Sequence, residues 1–387
     1  MTMLEHRPSD VPARPDRPAS GRRTRRRRRR LVVLVLVVLL FVPGISFERA
    51  LTAPGGGSWQ ERTVEWVRDN GGAPVINWLE NWYYSRHVPS TAAPDPASLP
   101  GAGATAVEPM GDAGPPAVAP LPVARSAPGE GSWAPGRTDP AGTPAIYTTF
   151  LRPDASHPSV VAGAAWMRAD DTAAHLVAGT RQPGGSGWPG SARVPSSDVP
   201  ALVATFNSGW KFKDITGGFY LDGRTGQPLQ DGQASVVIDD TGRVTVGEWG
   251  RDVTMTSHVR AVRQNLSLVV DGGRAVTGLS TNADGRWGSS KNQFQYTWRS
   301  GVGTDARGNL VYVAGDGLTL ETLADAMVHA GVQRGMELDI HPGMDSFASW
   351  APHGSSATPT KLLPGMRRPA DRYLSVDQRD FFYLTLR

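Results

Sequence analysis

Apolar residues along this chain fall into three rhythms. The first is an unbroken run, Leu31-Val-Val-Leu-Val-Leu-Val-Val-Leu-Leu-Phe-Val42, which continues uncharged to Phe47 for 17 residues in all. That is the short end of a membrane-crossing helix. In the second, Trp59, Val64, Val67, Val75, Trp78, Leu79 and Trp82 recur at roughly helical spacing, split by Asn70-Gly-Gly-Ala-Pro74. This predicts a two-piece helical segment within residues 48–88, its tryptophans and tyrosines placed where a membrane interface favours them. A partner-binding helical hairpin is the other reading of the same pattern. The third rhythm begins near Ile146, where short runs of strand-forming residues alternate with turn signals. They are Val160–Met167, Ala201–Asn207, Gln233–Ile238, Val244–Glu248, Leu266–Val270, Leu310–Ala314, Met336–Ile340 and Phe381–Leu386. One helix interrupts them, Leu320–Ala330, with Leu320, Leu323, Ala324, Met327 and Val328 as its apolar stripe. Thr319 is its expected N-cap and Gly331 its stop. Residues 146–387 are therefore expected to form a strand-rich α+β domain, large enough for a real core.

Between the second and third rhythms, residues 89–145 hold 13 prolines and few bulky side chains. Such a stretch buries too little apolar surface to order itself, and it reads as a Pro/Ala/Gly-rich linker that gives reach. Charge sharpens the start of the chain. Residues 1–30 carry 11 arginines against 3 acids, and they supply all of the overall net charge of +4. Arginines ahead of an apolar run keep that side cytoplasmic, so residues 1–30 read as a cytoplasmic tail and 31–47 as an uncleaved signal-anchor. A cleaved signal peptide has a similar layout, but Ser46–Ala53 offers only a poor cleavage site. The expectation is a single-pass protein of the cell membrane with its C-terminal domain extracytoplasmic. No basic face is evident in the folded region, so nucleic acid is not an expected partner. Cysteine is absent, so the exported part is held by its core and not by disulfides.

Candidate chemistry lies in the third region. In a strand, Glu337 and Asp339 point to one face, with His341 just beyond, while Met336, Leu338 and Ile340 point to the other. Clustered carboxylates beside a histidine suit acid–base work, and a half-exposed strand with a solvated face explains them equally well. Asn207, followed by Ser208 and Gly209, ends one strand and can orient a ligand or cap a turn. Arg299 can hold a phosphate oxygen with its guanidinium fork, or form an ion pair. Asp339 and Asp345 are the oxygen ligands a divalent cation would use. No phosphate-binding glycine loop, dinucleotide fingerprint or nucleophile elbow occurs, and no cofactor is called for.

Taken in order, these pieces resemble the phosphodiester glycosidase domain. Arg299-Ser-Gly-Val-Gly303, Asn309-Leu-Val-Tyr-Val-Ala314, Gly317-Leu-Thr-Leu320 leading into the helix, and Glu337-Leu-Asp339 follow that family's C-terminal half. Phe206-Asn207 with Gly209, and Leu266-Ser-Leu-Val-Val-Asp-Gly272, are similar to its earlier segments. Where the family has a glycine run after the aspartate, this chain has Ile340-His-Pro-Gly-Met-Asp-Ser346. The resemblance implies a strand-rich domain cleaving a sugar from a phosphodiester. Asp339, Glu337 and Arg299 would be catalytic, and Asn207, Gly209, His341 and Asp345 would bind substrate. Cell-envelope glycans would be the setting. A non-catalytic glycan- or phosphate-binding module, or an envelope scaffold of the same fold, is the alternative.

Overall fold

The computed structural model describes residues 43–53, 57–100, 114–118, 126–288 and 294–387. The chain divides into two units, Met1–Ala53 and Pro54–Arg387. In the first unit, residues 43–52 are helical (α1), and Thr52 Oγ1 donates to Glu48 O at 3.0 Å. The arginine-rich tail and residues 31–42 of the expected span lie outside the described residues. Among those described, no helix is long and apolar enough to cross a membrane.

The second unit opens on a helical hairpin, α2 (Trp59–Val67) and α3 (Ala73–Tyr84). Ser58 and Glu61 cap α2 reciprocally, which satisfies two backbone N–H groups at its start. Gly71, at φ 93°, makes the bend between the two helices. The strands follow. β1 (Ala134–Pro135), β2 (Ile146–Leu151), β3 (Ala162–Met167), β4 (Thr172–Val177), β5 (Leu202–Asn207) and β6 (Phe219–Leu221) come first. β7 (Arg224–Gln227), β8 (Ala234–Asp239), β9 (Val244–Glu248), β10 (Val259–Gln264), β11 (Leu268–Asp271) and β12 (Arg274–Ala275) come next. β13 (Thr297–Asp305) and β14 (Leu310–Leu318) precede helix α4 (Leu320–His329), after which come β15 (Val332–Ile340), β16 (Phe347–His353), β17 (Ser356–Lys361) and β18 (Phe381–Leu386).

These strands pair antiparallel in three sheets. The largest runs β1-β2-β3-β14-β13-β15-β11-β12, and two five-stranded sheets run β7-β6-β10-β8-β9 and β17-β16-β5-β18-β4. One apolar core joins residues of all three sheets, with Phe206, Phe219, Tyr312, Met336 and Phe382 among its members. A second lies where α4 covers the largest sheet, Leu323 and Met327 packing with Trp166 and Val313. Thr319 caps α4 as expected, and Gly331 ends the helix at φ 93°. Glycine lets that helix come close to the sheet: a Cβ on Gly301 would meet Met327 Sδ at 2.7 Å.

Two expectations change. Residues 89–145 do not stand free in their described parts. Ser159 Oγ donates to Ser90 O at 2.6 Å, Leu99 and Ala127 pack on the core, and Trp133, 3% exposed, donates to Pro116 O at 2.9 Å. A few bulky residues among the prolines suffice to lay the segment on the domain. The wetter face expected for β15 is also largely missing. Glu337 is buried together with Met336 and Leu338, because β15 lies inside the largest sheet between β13 and β11.

Candidate functional site

β15 delivers Asp339 to the wall of a cleft of about 1000 Å³ that lies between the sheets' edge and the hairpin. Asp339 Oδ2 accepts from Arg379 Nη2 at 2.6 Å, and Oδ1 accepts from the Ile340 N–H at 3.0 Å. Arg379 stands just ahead of β18, whose pairing with β5 sets Phe381 opposite Asn207. The same Nη2 donates to Gly209 O at 2.9 Å. Only glycine fits there, since a Cβ on Gly209 would lie 2.9 Å from Asn265 Oδ1. Burial raises the Asp339 pKa above the ordinary carboxylate value, and the Arg379 charge only partly opposes it.

His341 also lines the cleft. Its φ of 83° places a side chain in the left-handed region, a strain of about 1–3 kcal/mol at the point where the resembling family has glycine. Its ring stacks on Tyr84 with centroids 5.6 Å apart and lies 3.5 Å from Glu80 Oε2. Burial, aided by the Arg68 and Arg299 cations, lowers its pKa to about 3. The imidazole is thus neutral near pH 7, and its approach to Glu80 is not an ion pair.

The other expected residues lie beneath the cleft, off its walls. Arg299 Nη1 donates to Glu337 Oε1 at 2.6 Å with both side chains fully buried, and Arg299 Nε donates to Leu318 O at 3.1 Å. Burial raises the Glu337 pKa against the pull of Arg299. Asn207 uses its side chain to join strands: Nδ2 donates to Ser208 O and Ser300 Oγ, while Oδ1 accepts from Tyr312 and from the Ser346 N–H. Ser300 Oγ in turn donates to Asp339 O at 2.9 Å, so Asn207 supports the aspartate at one remove. Asp345 is 1% exposed, and burial pushes its pKa well above the ordinary range. Asp345 does not line the cleft, and one Asp339 oxygen is engaged by Arg379. Among the described residues no group of three or more acidic or histidine side chains is placed to hold a metal.

Several residues of this site escaped the sequence reading. Arg379 is one, and Lys211, on the cleft wall 2.7 Å from Glu65, is another. Arg263-Gln264-Asn265 are fully buried behind them. Arg263 Nε pairs with Asp380 at 2.7 Å, its Nη2 donates to Trp210 O at 2.6 Å, and its guanidinium lies 4.1 Å over Phe212. Asn265 Nδ2 donates to Glu337 O at 2.7 Å and Oδ1 accepts from the Trp210 N–H at 3.1 Å. This cluster fixes the Trp210–Phe212 segment against β15. Its one sequence signal was three consecutive polar residues between Val262 and Leu266.

The hairpin supplies the facing wall. Glu65 and Asp69 reach Lys211 and Lys213, with Asp69 at 2.8 Å from Lys213. Burial works against their ionisation, yet the lysines hold both carboxyls below their ordinary values. The result is a cleft with a carboxylate at its base, a guanidinium in contact with it, and ammonium groups at its rim. Such an arrangement can bind an anionic group and move a proton beside it.

Residues 202–339 match the phosphodiester glycosidase family model. Among solved structures, the chain is similar to the zebrafish N-acetylglucosamine-1-phosphodiester alpha-N-acetylglucosaminidase catalytic domain, auto-inhibited by its pro-peptide. That likeness has a TM-score of 0.40 and 16% identity, covering 66% of this chain and 87% of that one. A hypothetical protein from Synechocystis is similar at a TM-score of 0.35 and 14% identity, with 63% of each chain covered. No curated protein matches.

Proposed function

Taking the phosphodiester glycosidase match over residues 202–339 as premise, we propose that the domain hydrolyses a glycosyl phosphodiester in the Asp339 cleft. The observation that carries this reading is the 2.6 Å contact of Asp339 with Arg379 on the cleft wall. Arg379 and Lys211 neutralise the phosphate and hold it in place. Asp339 assists the attacking water or the developing oxocarbenium ion, and its raised pKa suits proton exchange. His341, neutral, offers a ring face and a hydrogen-bonding nitrogen to the sugar. Arg299, Glu337 and Asn207 position β15 and contact no substrate.

The proposal extends to the setting. Residues 31–47 span the membrane with the arginine tail cytoplasmic, and the domain acts on envelope glycans outside. Retention of the chain in membranes through alkaline carbonate extraction, with the domain open to external protease, is the expected result; release by carbonate sinks the anchor.

Activity is tested with a chromogenic glycosyl phosphodiester and the full chain beside Asp339→Asn and Arg379→Ala. Turnover by the parent, reduced about 10²-fold or more in each variant, is expected. One observation favours a second reading: the hairpin's Glu65 and Asp69 already engage the cleft lysines. If no sugar series is turned over but glycosyl phosphates bind saturably, the domain is a binding module.

A further inference from the structure

Helix α3 has two faces with different duties. Asn77, Glu80 and Tyr84 line the cleft. On the opposite side, Val75, Trp78, Leu79 and Trp82 are 60%, 65%, 44% and 47% exposed. Their spacing of i, i+3, i+4 and i+7 makes one continuous apolar stripe. Trp59, in the first turn of α2, is 67% exposed as well. Helices of a folded domain normally turn such a stripe inward, and here the inward side is taken by polar residues of the cleft. Contiguous exposed aromatic surface of this kind marks an interaction site.

We propose that this stripe seats on the surface of a lipid bilayer, at headgroup depth. Three observations select that occupant. Tryptophan makes up three of the five exposed residues, and its ring, apolar with one N–H, suits the membrane–water boundary. Arg86, one turn beyond Trp82 and 5.2 Å over its ring, sets a cation at the stripe's end, where anionic headgroups attract it. Finally, only residues 48–58 separate the apolar run ending at Phe47 from α2. Eleven residues reach at most about 40 Å, so a bilayer held by that run stays within range of the hairpin. The chain after α3 returns onto the domain, where Ser90 O accepts from Ser159 Oγ and Leu99 packs on the core, rather than leading away. The proposal rests on the membrane span and is independent of the glycosidase reading.

The chain has no cysteine, so Leu79→Cys carries a single environment-sensitive fluorophore without other changes. The full chain, reconstituted in vesicles of phosphatidylcholine and phosphatidylglycerol, is compared with and without brominated acyl chains. A blue-shifted label at 79 that brominated lipid quenches, and an unquenched label on Arg274→Cys at the exposed β12, are expected. Replacing Trp78 and Trp82 by serine in the Leu79→Cys chain should weaken the quenching; these residues lie off the cleft. A carbonate-resistant chain whose label at 79 is not quenched overturns the proposal while sparing the anchor. A label that is shielded but insensitive to brominated lipid points to a protein partner, and overturns it too. Release of the chain by carbonate removes the span on which the proposal rests.

Discussion

Asp339 and Arg379 meet at 2.6 Å across 40 residues of sequence, the first from a strand inside the largest sheet and the second from the approach to the last strand of another. The cation opposes the burial that raises the Asp339 pKa. Arg379→Ala should therefore move it higher still. In a pH–rate profile, the limb that belongs to Asp339 should shift to higher pH in that variant as the maximal rate falls. An unshifted limb would assign that ionisation to another group.

Arg299→Ala should act on stability first. It leaves Glu337 as a buried carboxylate without its cation, a loss of about 3–5 kcal/mol that denaturant unfolding can measure. Arg299→Met combined with Glu337→Leu should recover most of that loss, because two apolar side chains need no partner. A double variant no more stable than the single one would show that the pair does more than neutralise itself.

Two buried groups give pH dependences of opposite sign. Burial raises the Asp345 pKa, so the folded state holds that proton longer and Asp345 costs stability as pH rises above about 4. Burial lowers that of His341 to about 3, so this group costs stability as pH falls below about 6.5. Asp345→Asn should gain on the parent as pH rises, and His341→Asn should gain as pH falls. Thermal melts of the three proteins across pH 3–7, a range that spans the ordinary carboxylate and imidazole values, check the crossing. Parallel curves would refute both assignments.

Gly301→Ala should destabilise by about 1–3 kcal/mol, since the added methyl meets Met327 Sδ at 2.7 Å and Met336 O at 3.1 Å. Shortening the opposing side chain, as Gly301→Ala with Met327→Leu, should return part of the loss in the same melt. No recovery would place the strain in the backbone instead.

The contrast between residues that were legible in the sequence and those that were not follows from distance along the chain. α4 was readable because its stripe, its Thr319 cap and its glycine stop are local signals. β18 was read at its observed ends, Phe381–Leu386. β10 and β13 were missed because their polar residues, Arg263 and Arg299 among them, are satisfied by partners far away in sequence. The alternation within β15 singles out Asp339 as a candidate, and nothing near Asp380 announces that Arg379 has a partner 40 residues earlier. Glu337 and Arg299 were read as reagents and lie below the cleft as its support. Alternation tells which face a residue shares and is silent on how much protein covers that face.

The placement of β18 between β5 and β4 has a consequence for assembly. The gap it fills can close only when Phe381–Leu386 arrives, whatever has folded before. Arg379 arrives on that same segment, so the charge beside Asp339 and the strand that seals the sheet come together. A chain clipped ahead of Arg379 forfeits both at once, the cation beside Asp339 and the strand that joins β5 to β4.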